Sequence, residues 1–195
     1  MIGFEGGGAM TLARLIRMVG VTVAIGVLLG LATTLTGLFG QVSLFKGASV
    51  GGFISATSCM GLWAYLTLNF VMRSISFRIW VAMQVLITGV VLWDLSYFRY
   101  MFVVQGQGSI WPYVGYALWP FAIAIIGSWL KARRVGLKAF LPALFYLYAF
   151  TAIEWIPGLH TSDAKITTQM GIILLGCNLY LLLTLGKAIK TPSVQ

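Results

Sequence analysis

Six runs of mostly apolar residues occupy nearly the whole sequence, and their length limits the possible folds more than any other feature. The hydrocarbon core of a bilayer is about 30 Å thick, and an apolar helix of about 20 residues crosses it. A mean hydropathy of +0.94 with 9% charged residues leaves too little polar surface to enclose a soluble core. We therefore expect an all-α, polytopic membrane protein whose six transmembrane helices lie near 18–39, 48–71, 79–98, 113–130, 139–156 and 168–186.

The basic residues indicate an orientation. With the N-terminus in the cytoplasm, ten of the 13 Lys and Arg residues fall in inner segments, and the outer ones are Lys46, Arg99 and Lys165. This distribution follows the positive-inside rule, so both termini are expected to be cytoplasmic. The net charge of +9 then fits contact with the anionic headgroups of the lipid bilayer, and nucleic acid is not an expected partner.

The connections between the runs are short and leave no room for a separate soluble domain. Residues 1–195 are therefore expected to form a single membrane-embedded helical domain. Residues 1–10 lack the basic start of a signal peptide and are expected to be a flexible extension. Cys59 and Cys177 lie within apolar runs without CxxC spacing, so they are expected to act as small apolar residues.

Small residues recur at helical spacing in the first two runs. Gly26 and Gly30 form a GxxxG pair, and Gly51 and Ser55 are also four residues apart. Such residues let helices approach closely inside a membrane. We expect this face to pack within the bundle, and the alternative is that it contacts a partner protein.

Two acidic residues fall at the outer ends of spanning runs. We expect the third helix to end near Phe98, which places Asp94 about one turn below the outer rim. Because a residue that precedes proline disfavours helix, the fifth helix is expected to end before Pro157. Glu154 would then lie at nearly the same depth as Asp94.

An ionisable residue in a spanning segment is by default a candidate functional residue. Asp94 and Glu154 could hold Arg99 between them, which would form a polar cluster near the outer face. The two carboxylates could instead share a proton or bind a cation, with His160 and Asp163 above them. They could also simply reach the water at the membrane surface, and the sequence leaves all three hypotheses open.

Other polar and aromatic residues lead to simpler expectations. Asn69, Gln84 and Asn178 are candidates for hydrogen bonds between helices. An aromatic belt is expected at the outer interface, where amphipathic rings are enriched. Its members are Trp93, Tyr97, Trp111, Tyr113 and Trp155.

No catalytic motif stands out in the sequence. It contains neither HExxH nor GxSxG nor a Walker loop, and its one histidine cannot by itself supply a zinc site. We therefore expect no enzyme activity, no cofactor and no metal. A binding or regulatory role is favoured, and the alternative is a small membrane transporter or channel for a cation or metabolite.

Five segments resemble the KbaA family, which acts in activation of KinB signalling in endospore-forming bacteria. They are GLWAYLTLNF (61–70), WVAMQ (80–84), LWDLSYFRYMF (92–102), LPALFYLYAFTAIEWIP (141–157) and CNLYLLL (177–183). The resemblance implies a multi-pass protein of the bacterial cytoplasmic membrane that promotes signalling by a membrane sensor histidine kinase. That kinase would feed the sporulation phosphorelay. The resemblance implies no catalytic residues.

Overall fold

The computed structural model describes residues 12–36, 43–159 and 164–188. It contains six helices that are long and apolar enough to cross a membrane, so the prediction of an all-α chain with six candidate spans is confirmed. The expected extension at 1–10, together with His160 and Asp163, lies outside the described residues. The helices are α1 (Leu12–Leu35), α2 (Leu44–Ile75), α3 (Phe77–Trp93, continued by a π-helical turn at Asp94–Phe98 and by Arg99–Val104), α4 (Trp111–Val135), α5 (Leu137–Ala139, Phe140–Phe145, a π-helical turn at Tyr146–Phe150, and Thr151–Leu159) and α6 (Ala164–Ala188).

Single residues separate neighbouring helices on one side of the bundle. Ser76 has an extended backbone (φ −164°) between α2 and α3, and its N–H donates to Met72 O at 3.3 Å. Gly136 ends α4 with a φ of +115°, a conformation that L side chains rarely adopt, and its N–H donates to Ala132 O at 2.7 Å. A single residue therefore separates α2 from α3 and α4 from α5.

Two helices end later than the sequence suggested. The third helix was expected to end near Phe98, but α3 continues to Val104. Apolar residues carry the helix onward until Gln105 and Gly106, whose φ angles of 52° and 74° are incompatible with α-helix. Asp94 therefore lies deeper within its helix than expected.

The fifth helix was expected to end before Pro157, but α5 runs to Leu159. Proline in the last turn removes a single backbone hydrogen bond, which is a small loss at a helix end. The hydroxyl of Thr167 on α6 donates to Gly158 O at 2.8 Å and so satisfies one of the terminal carbonyls.

Helix α5 is the centre of the packing. It contacts α2, α3, α4 and α6, and its residues from Ala143 to Ala149 are all buried. Helix α1 packs mainly on α2 and α6, whereas α3 contacts α5, the end of α2 and, through its π-helical turn, α4. A group on α5 can therefore be surrounded by side chains from most of the other helices.

The predicted small-residue face lies between α1 and α2. A Cβ atom at Gly26 would lie 2.5 Å from Gly51 O and 2.5 Å from Ser55 Cβ. At Gly30 it would overlap Gly47 O, so the two backbones touch where these residues face each other. This geometry corresponds to packing within the bundle, which was the first of the two alternatives for this face. The small residues are covered by the chain itself.

Gly26→Ala is expected to lower the free energy of unfolding by about 1–3 kcal/mol, because the added methyl group has no room between α1 and α2. Gly20→Ala is the matched control, since a Cβ atom at exposed Gly20 of the same helix would meet nothing within 4 Å. Thermal unfolding in detergent micelles measures both variants. Equal stability of the two would show that α1 and α2 are not in close contact.

Candidate functional site

A buried group of polar side chains joins α5 to α6. Asn178 is 0% exposed, and its amide nitrogen donates to Thr151 Oγ1 at 2.9 Å and to Glu154 Oε2 at 2.7 Å. Its carbonyl oxygen accepts a hydrogen bond from the Tyr146 hydroxyl at 3.0 Å. Both amide hydrogens and the amide oxygen of Asn178 are therefore used. We call Tyr146, Thr151, Glu154 and Asn178 the Asn178 cluster.

The π-helical turn of α5 explains why Tyr146 and Thr151 bond to the same amide group. Residues five apart point about 140° away from each other in an α-helix. In a π-helical turn, whose hydrogen bonds join residues i and i+5, such residues lie on nearly the same side. The turn at Tyr146–Phe150 thus brings the two hydroxyl groups together. Glu154 follows Thr151 by three residues, which keeps it on that face.

Helix α2 closes the third side of the cluster at Gly61. A Cβ atom there would overlap Oε1 of Glu154, so a larger residue at this position would force the carboxyl group to move. Oε1 itself is buried and has no hydrogen-bond partner among the residues that the structure describes. The Glu154 carboxyl group therefore fills a notch in α2 while one of its oxygens is held by α6.

The predicted clamp of Asp94, Arg99 and Glu154 is not formed. Within the described ranges, Arg99 makes no ion pair with either acid, and its guanidinium carbon lies 5.1 Å from the centre of the Tyr116 ring. Its Nε and Nη1 atoms are buried without a hydrogen-bond partner in that same part of the chain. Asp94 is exposed on α3. The sequence placed Asp94 and Glu154 at nearly the same depth with Arg99 between them, but the three side chains have different surroundings.

The two charges of α3 have different surroundings, although only the π-helical turn at Asp94–Phe98 lies between them along the chain. Arg99 directly follows the turn and faces α4, whereas Asp94 begins it and points away from the bundle. The turn packs on α4, with Leu95 buried between them. The alternative of a shared proton or cation between Asp94 and Glu154 loses support, because Asp94 is exposed while Glu154 is bonded to Asn178.

The three predicted interhelical amides behave differently. Asn178 forms the cluster described above, and Asn69 of α2 accepts a hydrogen bond from Trp80 Nε1 of α3 at 2.8 Å. Both predictions are confirmed. The prediction for Gln84 is wrong: its side chain is 0% exposed, yet neither Nε2 nor Oε1 has a hydrogen-bond partner in the described part of the chain. The presence of a buried amide group therefore did not predict whether a hydrogen-bond partner lies beside it.

The aromatic belt is only partly where the sequence placed it. Trp93, Tyr97 and Trp111 are exposed, as residues at a membrane interface are expected to be. Trp155 is instead 1% exposed, and its Nε1 donates to Thr167 O at 2.7 Å. Its ring lies against Gly171, where a Cβ atom would be 2.5 Å from Trp155 Cζ2. This tryptophan joins α5 to α6 above the Asn178 cluster.

One buried cation was missed by the sequence reasoning, which counted Lys131 only as an inner-loop charge. Its Nζ donates to Leu182 O at 2.6 Å and so links α4 to α6. Gly61 and Tyr146 were also missed. The spacing of Thr151 and Glu154 could have indicated a shared polar face, but nothing near Gly61 in the sequence indicates that it faces a carboxyl group.

The chemistry of the site is that of a structural network. Among the described residues, no group of three His, Cys, Asp or Glu side chains is placed to hold a metal ion. Cys59 and Cys177 are buried and form no disulfide. The Asn178 cluster satisfies buried polar groups across helices, and such hydrogen bonds are expected to favour one arrangement of the bundle.

The fold and site define an all-helical protein with six candidate membrane spans, in which a buried polar cluster joins α5 to α6. A family model described as KinB-signalling pathway activation in sporulation, KbaA, matches residues 11–188. The chain belongs to this family. The match includes all six helices, and it confirms the resemblance seen in the sequence.

A curated relative supports the same assignment. The chain is 32% identical over 151 residues to the KinB-signaling pathway activation protein of Bacillus subtilis (strain 168), and the match covers 74% of each chain. No solved structure matches this chain. The family is a group of signalling-pathway activators by name, and that name indicates no enzyme activity.

Gly61→Ala is expected to destabilise the protein by about 1–3 kcal/mol, because its methyl group would overlap Glu154 Oε1. Adding Glu154→Ala should recover part of the loss, which gives a coupling energy of about 0.5–3 kcal/mol in a double-mutant cycle. Gly115→Ala on α4, where a Cβ atom meets nothing within 4 Å, is the control. Additive effects of the two cluster substitutions, measured by thermal unfolding, would contradict the contact.

Asn178→Leu is expected to destabilise the protein by about 1–3 kcal/mol or more, because it leaves three buried oxygen atoms without their partner. Gln84→Leu is the matched control. It removes an equally buried amide that has no partner in the described chain, so it should be neutral or stabilising. Unfolding of both variants in the same detergent tests this difference, and equal effects would mean that the bonds to Asn178 contribute little.

Proposed function

We propose that this chain is a non-enzymatic integral protein of the bacterial cytoplasmic membrane that activates a membrane sensor histidine kinase at the start of sporulation. The kinase in turn feeds a phosphorelay. The observation that carries the proposal is the family match over residues 11–188, which spans all six candidate membrane helices. The name of the Bacillus subtilis relative supports a role in the KinB signalling pathway.

The proposal includes one membrane-embedded domain with both termini in the cytoplasm. In this orientation the exposed basic residues Arg133 and Arg134 at the end of α4 face the cytoplasmic leaflet, where anionic lipids attract them. The shortness of the connections at Ser76 and Gly136 supports a protein with little mass outside the bilayer. Contact with the kinase would then occur mainly between helix faces within the membrane.

Activation by contact requires a difference in affinity. The protein can shift the kinase toward its active conformation only if it binds that conformation more tightly than the inactive one. A tenfold shift needs a difference of about 1.4 kcal/mol, which a few contacts between membrane helices can supply. A rigid bundle suits this role, and the buried bonds of the Asn178 cluster support such rigidity.

A transporter or channel for a cation or metabolite remains the alternative. Transport needs polar groups that follow one another across the bilayer. The hydrogen bonds of the Asn178 cluster stay between α5 and α6, and α2 packs against Glu154 at Gly61. This closed arrangement supports the regulatory role over transport.

A phosphorelay-dependent reporter in a spore-forming host tests the proposal. With the competing kinases removed, deletion of this gene is expected to silence the reporter, and the wild-type gene should restore it. Glu154→Gln should also restore it if the variant accumulates in the membrane, because the amide can still bond to Asn178.

A reporter that is indifferent to deletion would overturn the signalling role, and flux measurements would then test the transport alternative. Flux in vesicles that falls with Glu154→Gln while the fold stays intact would support transport. The amount of protein in the membrane fraction separates loss of fold from loss of function in every variant.

A further inference from the structure

The position of Asp94 on α3 is the starting point. The candidate span runs from Phe77 to Met101, and α3 continues to Val104. Asp94 is seven residues before Met101, which is about 10 Å along a helix. A carboxylate within a spanning segment is costly unless it reaches water or a partner, and aspartate has a short side chain with which to reach either.

Nothing in the described part of the chain pairs with this carboxylate. Asp94 is exposed and takes part in no ion pair there. Arg99, the base one turn above it, has its guanidinium over Tyr116 on the side that faces α4. The Arg99 side chain thus lies against α4, whereas the Asp94 side chain is exposed on the outside of the bundle.

Asp94 belongs to a continuous exposed face of α3. Besides Asp94, the face contains Met83, Leu86, Gly89, Val90, Trp93 and Tyr97. A Cβ atom at Gly89 would meet nothing within 4 Å, so this glycine leaves a shallow gap on the outside of the bundle. The rings of Trp93 and Tyr97 stack at 5.0 Å beside the acid. We call these residues the outer face of α3.

We infer that the outer face of α3 is the surface that binds a spanning helix of the sensor kinase, one that carries a lysine or arginine near its outer end. The inference rests on the proposed function and names the surface through which it operates. The complementary charge is what selects this occupant, because a cation offsets the cost of the Asp94 carboxylate inside the span. Gly89 lets the backbone of the partner helix approach closely in the middle of the membrane.

Exposed glycines provide a matched test of this surface. Gly20 of α1, Gly89 of α3 and Gly115 of α4 are all exposed helical glycines where a Cβ atom meets nothing within 4 Å. Leucine at each position should therefore leave the fold intact. Gly89→Leu is expected to lower the phosphorelay reporter by about tenfold, whereas Gly20→Leu and Gly115→Leu should leave it unchanged.

Charge variants test the role of Asp94. Asp94→Asn should weaken the reporter, and Asp94→Lys should silence it, because a second cation would face the base of the kinase. Replacing that base in the kinase by aspartate should restore signalling with Asp94→Lys and impair it with wild-type Asp94. Each lysine or arginine near the outer ends of the kinase helices can be replaced by aspartate in turn. If none of these variants restores signalling with Asp94→Lys, the role of the charge is overturned.

Photo-crosslinking tests contact directly. A crosslinking residue at Val90, which is 56% exposed, should capture the tagged kinase when the two proteins are produced together. The same residue at Leu28 of α1, which is 63% exposed, should capture little of it. Asp94→Lys should reduce capture from Val90.

The outcomes separate this inference from the function on which it rests. Equal effects of the three glycine variants, or equal capture from Val90 and Leu28, would overturn the inference while a deletion that silences the reporter keeps the proposed function. Capture of a second copy of this chain from Val90, in place of the kinase, would also overturn it. A reporter that ignores the deletion would remove the proposed function and this inference together.

Discussion

The amide group of Asn178 is the contact on which the interior of this protein depends. Burying a carboxyl group, two hydroxyl groups and an amide in a membrane is costly unless each finds a partner. The structure meets this requirement with one residue of α6 that bonds to three residues of α5. Helix α2 then fits against the same carboxyl group at Gly61. The relative positions of three helices therefore follow from a single group of polar side chains.

Two π-helical turns occur next to polar residues of the bundle, one in α5 and one in α3. In α5 the turn gathers Tyr146 and Thr151 toward one amide group, and the result is a closed interior. In α3 the turn lies between Asp94 and Arg99, and the two charges end in separate surroundings. A π-helical turn thus brings polar groups together at the centre of the bundle, whereas the two charges beside the turn at its edge do not contact each other. The side of the bundle formed by α3 carries the exposed acid Asp94.

Apolar run length predicted the six helices, because the thickness of a bilayer imposes it. It did not predict where α3 ends, since that depends on the φ angles of Gln105 and Gly106 and not on apolar content. Asn178 was recognisable as a buried polar residue, but its partners depend on a π-helical turn that leaves no clear sign in the sequence. The expected clamp did not form because the position of a residue along its helix did not predict the direction in which its side chain points. Gly61 was beyond prediction, because its role comes from a residue 93 positions later in the chain.

The order in which the helices are made gives the Asn178 contact a further meaning. Helices α1 and α2 carry the glycines of their mutual interface, so they can pair as soon as both have entered the membrane. Glu154 arrives with α5, but its amide partner arrives only with α6, the last of the six described helices. During biosynthesis the carboxyl group is therefore unsatisfied until the final helix inserts. A chain that lacked α6 would hold this acidic group between apolar helices without the amide that bonds to it, so completion of the chain and satisfaction of its buried acid coincide.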